Sequence, residues 1–332
     1  MNPQDTPIMR ETKSRVWWSL FMADRWCPPG LGLPREISLS DLTVDLPIDE
    51  LDFQSMPLSN DTVLTEQSEG IWAHKVTLAD ILTSIQDVNL ALARGSVART
   101  VIDEQVDNIA TRLLAWHRLL PQRMLLSDEN LELHRKSGQG GTFVALHLGY
   151  HHYSTLLYFQ YLEPDREPTD RTTEYACRCT VHGLAFSRLL HVARQHDDCH
   201  VVYLTVAHMT IVSSSVLLHM LLLGSEAEVV TARTQLTLNF EALEDLNKYW
   251  PCVEHMKKRL FLFQDACLRS SAAKTYAVDR WIVRFLTEYG LPLEEKDNGK
   301  QVEGTTSTEV HENTVSLDRR AFLGQALESV RD

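Results

Sequence analysis

The densest group of residues able to ligate a metal lies between positions 177 and 200: Cys177, Cys179, His182, His191, His196, Cys199 and His200. Thiolate and imidazole are ligands that zinc prefers, and a tetrahedral site needs four of them converging on one point. Cys177 and Cys179 stand two positions apart in a segment of helical pattern, so their side chains diverge by about 200° and do not readily share an ion. A second group is His147, His151 and His152. Histidines four apart on a helix can ligate a metal together, but no carboxylate stands in the same turn, which favours packed or surface histidines. Asp197-Asp198 is followed by Cys-His-Val, which does not continue the acidic spacing of a magnesium-binding helix. No Gly-rich phosphate loop, no Gly-x-Ser-x-Gly turn and no His-Glu-x-x-His helix occurs, so hydrolase and nucleotide chemistry lack a motif. The sequence assigns no catalytic, cofactor-binding or metal-binding residue, and the chain is expected not to be an enzyme.

The elements around these residues read as helices. Ile102, Val106, Ile109, Leu113, Trp116 and Leu120 repeat at four-three spacing behind Thr100, a candidate N-cap, and Pro121 ends the run. Val229, Ala232, Leu236, Phe240, Leu243, Leu246 and Trp250 repeat in the same way, and Pro251 opens the next helix. Helices are predicted near 13–26, 71–94, 100–120, 142–162, 171–197, 200–223, 226–249, 252–269 and 275–289, with no convincing alternating strand. The run from Val201 to Leu223 is long and apolar enough to cross a bilayer. Its His208, Thr210, Ser213, Ser214, Ser215 and His219 fit a buried central helix better. The expected fold class is all-α: one irregular multi-helix domain over 1–290, an acidic loop over 36–70, and a largely disordered tail over 291–332 with a short helix near 320–330.

Composition limits the partners. The net charge is −13, whereas neutralising phosphates requires clustered Lys and Arg, so nucleic acid is not expected to be gripped unaided. From Glu36 to His74 there is no Lys or Arg, while nine acids alternate with Leu42, Val44, Leu46, Ile48, Leu51 and Phe53. That composition is shared by activation segments, although a solvated acidic loop packed along a helical body is the commoner arrangement. The N-terminus has no apolar stretch of a signal peptide. Six scattered cysteines in such a chain imply reduced thiols.

One segment stands apart: Arg15-Val-Trp-Trp-Ser-Leu-Phe-Met-Ala-Asp-Arg-Trp26, followed by Cys-Pro-Pro-Gly-Leu-Gly-Leu-Pro-Arg-Glu-Ile37. It reads as a helix, apolar nearly all round and therefore a core element, that stops at Pro28-Pro29. Asp24 and Arg25, adjacent in sequence, are expected to point apart and to pair with different partners. The string resembles the signature of the fungal-specific transcription factor domain, the regulatory middle region of binuclear zinc cluster transcription factors. The resemblance rests on Arg15, Trp17, Trp18, Asp24, Arg25, Gly32, Pro34, Leu46 and Pro47, with further likeness in Leu146–Tyr153 and in Ala227–Cys267 around Tyr249-Trp-Pro251. Leu33 stands where the family usually has Arg, and whether Arg35 substitutes is left open by the sequence.

Those regulators bind DNA through a six-cysteine zinc cluster built on C-x2-C-x6-C. Here the cysteines are Cys27, Cys177, Cys179, Cys199, Cys252 and Cys267, a spacing that builds no such cluster, so no cofactor is expected in this chain. The signature also starts a dozen residues after Met1, which suggests the C-terminal portion of the family's domain, in a shortened gene product or in a regulator without its own DNA reader. The resemblance implies a transcription regulator in the nucleus, controlling a metabolic or secondary-metabolite pathway. It implies protein partners such as another factor or the transcription machinery, admits a homodimer and a small-molecule inducer, and leaves DNA to a missing module or a partner; a membrane is not expected. Two alternatives stand beside it: an all-α ligand-binding or catalytic protein, and a truncated inhibitory interaction protein.

Overall fold

The computed structural model describes residues 5–38, 44–56, 68–163, 166–273 and 278–296. Among these residues the chain forms eleven α-helices: α1 (Pro7–Gly30), α2 (Glu50–Gln54), α3 (Ile71–Arg94), α4 (Arg99–Leu119), α5 (Asp128–Lys136), α6 (Gly140–Tyr158), α7 (Asp170–Arg194), α8 (Leu204–Leu223), α9 (Glu226–Asn247), α10 (Val253–Ala273) and α11 (Arg280–Thr287). Short 3-10 turns lie at Gln122–Met124, Phe159–Leu162 and Asp197–Cys199. One isolated antiparallel bridge, Ile48 to Glu69, is the extent of strand-like pairing among the described residues. The fold is all-α, as the periodicities imply.

α8 is the central helix, packed against α6, α7, α9 and α10. Its apolar character serves burial: α3 and α8 are both long and apolar enough to cross a membrane, yet 83% of the most apolar stretch of α8 is buried inside the protein. Five of the polar residues that argued against a lone spanning helix, His208, Thr210, Ser213, Ser214 and Ser215, are hydrogen-bonded there. The Ser213 hydroxyl donates to the Gly183 carbonyl at 2.9 Å, Asn239 Nδ2 donates to Ser214 Oγ at 3.0 Å, and the Ser187 hydroxyl donates to Asn239 Oδ1 at 2.8 Å. Buried polar groups are tolerated when paired in this way. Gly183 lets α7 approach α8, since a Cβ at that position would sit 3.0 Å from Val216 Cγ1.

Apolar side chains from Ile71 to Leu293 form one continuous cluster. A second, smaller cluster of Trp18, Phe21, Met22, Val76 and Ala79 joins α1 to α3. The C-terminal end of α1 is tied to distant segments: Trp26 Nε1 donates to the Tyr153 hydroxyl at 2.7 Å, Tyr289 donates to the Trp26 carbonyl at 3.2 Å, and the Gly290 N–H donates to the Gly30 carbonyl at 2.9 Å.

Several sequence expectations are corrected. α1 does not stop at Pro28-Pro29 but carries both prolines in its last turn, ending at Gly30. Pro29 has no N–H for the Arg25 carbonyl, and Gln86 Nε2 takes that place at 3.0 Å. α1 also begins earlier than residue 13, with Thr6 as N-cap and Pro7 in the first turn. It is not apolar-buried all round, because Val16 and Leu20 are 58% and 56% exposed. α4 begins at Arg99 behind an extended Ala98, so Thr100 is inside the helix and does not cap it. α8 begins at Leu204, α10 at Val253 and α11 at Arg280, each later than predicted. α2 and α5 were not predicted: α2 lies within the 36–70 segment, which is therefore not all loop, and α5 is held by Ser127, whose side chain accepts the Asn130 N–H. Residues 291–296 run on without helix; the rest of the 291–332 tail, with its helix near 320–330, lies outside the described residues.

Candidate functional site

The polar residues of α1 hold the acidic segment that follows it. Asp24 accepts the backbone N–H groups of Glu36 and Ile37 at 2.9 and 3.2 Å. Arg25 donates to the Ile37 carbonyl at 2.8 Å, stacks over Phe21 at 4.2 Å and is 3% exposed. Contrary to the sequence expectation, Asp24 and Arg25 also pair with each other, at 2.5 Å. Both reach round to the same short stretch of chain, and an anion close by offsets part of the cost of burying the guanidinium. Burial lowers the Arg25 pKa and the Asp24 charge raises it again.

Further along, the same segment is held by a second set of side chains. The Ser14 hydroxyl and Trp18 Nε1 both donate to the Asp45 carbonyl, at 2.6 and 2.8 Å. Glu11 accepts the Ile48 N–H at 3.1 Å. Arg15 binds Glu11 at 2.8 Å, Glu50 at 2.6 Å and the Ile48 carbonyl at 3.0 Å, with its guanidinium 4.0 Å over Phe53. Glu36–Ser38 and Val44–Pro47 therefore form a strap tied down along α1, and Val44 and Leu46 pack on the smaller apolar cluster. The turn between helix and strap uses Gly32 at φ 65°, a conformation that favours glycine. Leu33 points out, 57% exposed, while Arg35 takes over the anchoring: it donates to the Thr83 carbonyl and Gln86 on α3 and pairs with Asp87.

Of the apolar residues in the acidic segment, Ile48 is buried, Leu46 and Phe53 are half-buried, and Leu51 is 58% exposed. Among the described residues the segment is a packed strap followed by α2, and Leu51 is an apolar side chain it offers to solvent. Replacing Asp24 by Asn keeps the shape but removes the anion facing Arg25. The expected loss of stability is about 2 kcal/mol, below the range for fully buried pairs. Thermal denaturation checks it, and an unchanged midpoint would show that the pair carries no stability.

The candidate metal ligands separate in space. Cys177 is exposed, whereas Cys179 and Cys199 are buried. Cys179 Sγ lies 3.7 Å from the Thr155 carbonyl, to which it donates, and burial pushes its thiol well above the usual range. Asp198 is taken up by Arg135 at 2.9 Å, and His191 by Gln195 at 3.0 Å. His147, His151 and His152 of α6 meet different partners. His147 stacks edge-on to Phe143, and His152 lies against His208, with ring centroids 5.8 Å apart. His151 meets His182 of α7 with their Nδ1 atoms 3.0 Å apart, a juxtaposition no local spacing signals, and one ring donates while the other accepts. Burial pushes His151 down to about 3 and His182 down to about 4. Among the described residues no three His, Cys, Asp or Glu side chains converge on a point.

The polar network of α1 thus explains why Arg15, Trp18, Asp24, Arg25 and Gly32 stand together in the signature: each fixes the strap or its turn. A comparison with protein families covers the same segment. Residues 2–132 match the family model of the fungal specific transcription factor domain. Over 168 residues the chain is 25% identical to an uncharacterized transcriptional regulatory protein of Schizosaccharomyces pombe, a match covering 45% of this chain and 17% of that protein. Over 158 residues it is 27% identical to Activator of stress genes 1 of Saccharomyces cerevisiae, covering 46% of this chain and 16% of that protein. The matched stretch is a small part of these relatives' length. No solved structure matches the chain significantly. The signature helix and its strap lie at the head of the matched residues 2–132, so the part of the chain most similar to the fungal specific transcription factor domain is the part that α1 organises.

Proposed function

We propose that this chain is the regulatory body of a nuclear fungal transcription regulator, acting through protein contacts. The observation that carries the proposal is the match of residues 2–132 to the family, with both curated relatives named as regulators of transcription or of stress genes. The charge of −13 supports the rest: a body this acidic reaches DNA through a partner or another segment, since phosphate contacts need clustered cations. Control of a metabolic pathway and response to a small-molecule inducer belong to the same reading, which assigns the chain no catalytic step.

Tethered to a heterologous DNA-binding domain, the chain is expected to change reporter output. A silent tether with the fusion folded and nuclear would sink the proposal. Leu51→Asp alters an exposed side chain, so a drop in output at unchanged stability would place the contact on the strap; an unchanged output would place it on the helical body.

A further inference from the structure

Four cations are buried among the described residues: Arg25, Lys75, Lys257 and Arg259. Three are matched. Arg25 faces Asp24, Lys257 is held by Glu244 and Glu254 at 2.6 and 2.5 Å, and Arg259 donates to the carbonyls of Leu291 and Arg284 at 2.6 and 2.8 Å. Lys75 is not matched. It is 8% exposed and makes no hydrogen bond or ion pair with any described residue, its ammonium lying instead 4.3 Å from the ring centre of Trp72 and 5.6 Å from that of Tyr203.

Lys75 lines a cavity of about 370 Å³ bounded by α1, α3, α6 and the start of α8. The walls are apolar and aromatic, with Trp26 from the signature helix, Trp72, Tyr153, Met209 and Tyr289 among them. Tyr203 and Trp250 stand at the rim, 48% and 39% exposed, so the cavity opens to solvent. Its volume falls near the lower end of the roughly 300–1,000 Å³ of small-molecule sites, which are mostly apolar with a few placed polar groups. Aromatic faces offset part of the cost of burying an ammonium, but a desolvated cation is normally completed by an anion. Burial alone lowers the Lys75 ammonium to about 8, which leaves it mostly charged at neutral pH.

We propose that this cavity binds a small monocarboxylate with an aromatic or aliphatic body, its carboxylate paired with Lys75 and its body against the indoles of Trp72 and Trp26. The binding stands on the cavity alone; its use as a regulatory signal rests on the transcription-regulator reading.

The test titrates the purified chain with phenylacetate and octanoate, and with the neutral phenylacetamide and octanamide, following tryptophan fluorescence and the melting temperature. At least one acid is expected to bind at micromolar to millimolar concentration, and its amide to bind about tenfold more weakly or worse, as for loss of a charge-assisted contact. Lys75→Met is expected to abolish the preference for the acid while melting no lower than the parent. Absence of binding by both acids in the millimolar range, equal binding of acid and amide, or an acid preference that survives in Lys75→Met would each overturn the proposal. Should that variant fail to fold, the acid-to-amide ratio on the parent protein decides. A chain that drives a tethered reporter but binds neither acid refutes this inference alone; one that binds acid but is silent when tethered refutes the transcription reading alone.

Discussion

Lowering the pH from about 7 to about 5 is expected to unfold this protein cooperatively, because its interior holds histidines that are neutral when folded and charged when unfolded. His147, His152 and His208 are 1%, 5% and 5% exposed. Burial pushes His147 down to about 4, His208 down to about 3 and His152 well below its ordinary value. Arg259 beside His208, and His208 beside His152, act in the same direction. Neutral His208 fits its contact, with Nε2 placed 3.0 Å from the Leu286 carbonyl, to which its N–H donates. The sign follows from proton counting. Above about pH 6.5 neither state protonates these rings and the stability is intact, whereas between 6.5 and the lowered native values only the unfolded chain takes up protons. Each histidine then removes about 1.4 kcal/mol per pH unit, and three remove about 4. From about pH 6.5 to about 5 that is about 6 kcal/mol, comparable with the whole stability of a typical protein, about 5–15 kcal/mol. Far-UV circular dichroism against pH measures it; a helical signal unchanged down to about pH 4 would contradict the argument. His208→Gln is expected to move the acid midpoint downward.

The second large effect concerns the strap. Trp18→Ala is expected to cost about 3–5 kcal/mol, the range for truncating a buried large aromatic. Trp18 is 6% exposed, meets Phe21 edge to face at 5.3 Å and donates to the Asp45 carbonyl, so the substitution opens a void and frees the strap together. Trp17→Ala should cost less, because Trp17 is only half-buried, and Leu20→Ala should stay near zero on a side chain 56% exposed. Urea denaturation of the three variants gives the ranking. Equal costs for Trp18 and Leu20 would mean that α1 does not pack as described.

The helical frame was legible because burial imposes a 3.6-residue period, and the α4 and α9 patterns carry it over many turns. α5 was missed because it is short and mostly polar, so its identity rests on Ser127, on Asp128 and Glu129 at its start, and on His134, Arg135 and Lys136 at its end. The residues of the signature were legible as a set, but their task was not. Asp24 and Arg25 looked divergent because helix geometry governs Cβ directions, while the strap that both grasp is a tertiary partner. Lys75 gave no sequence signal: one lysine in a helix is unremarkable until the aromatic side chains from α1, α3, α6 and the loops before α8 and α10 are assembled around it.

Gly30 and Tyr289 touch so closely that a Cβ on Gly30 would lie 2.5 Å from the tyrosine ring. Neither position is then free to drift by itself over evolutionary time. In descendants of the same ancestor, a bulkier residue at the first position should arrive together with a trimmed ring at the second. A library that randomises the two codons jointly should recover folded pairs that single-site scans of either codon discard.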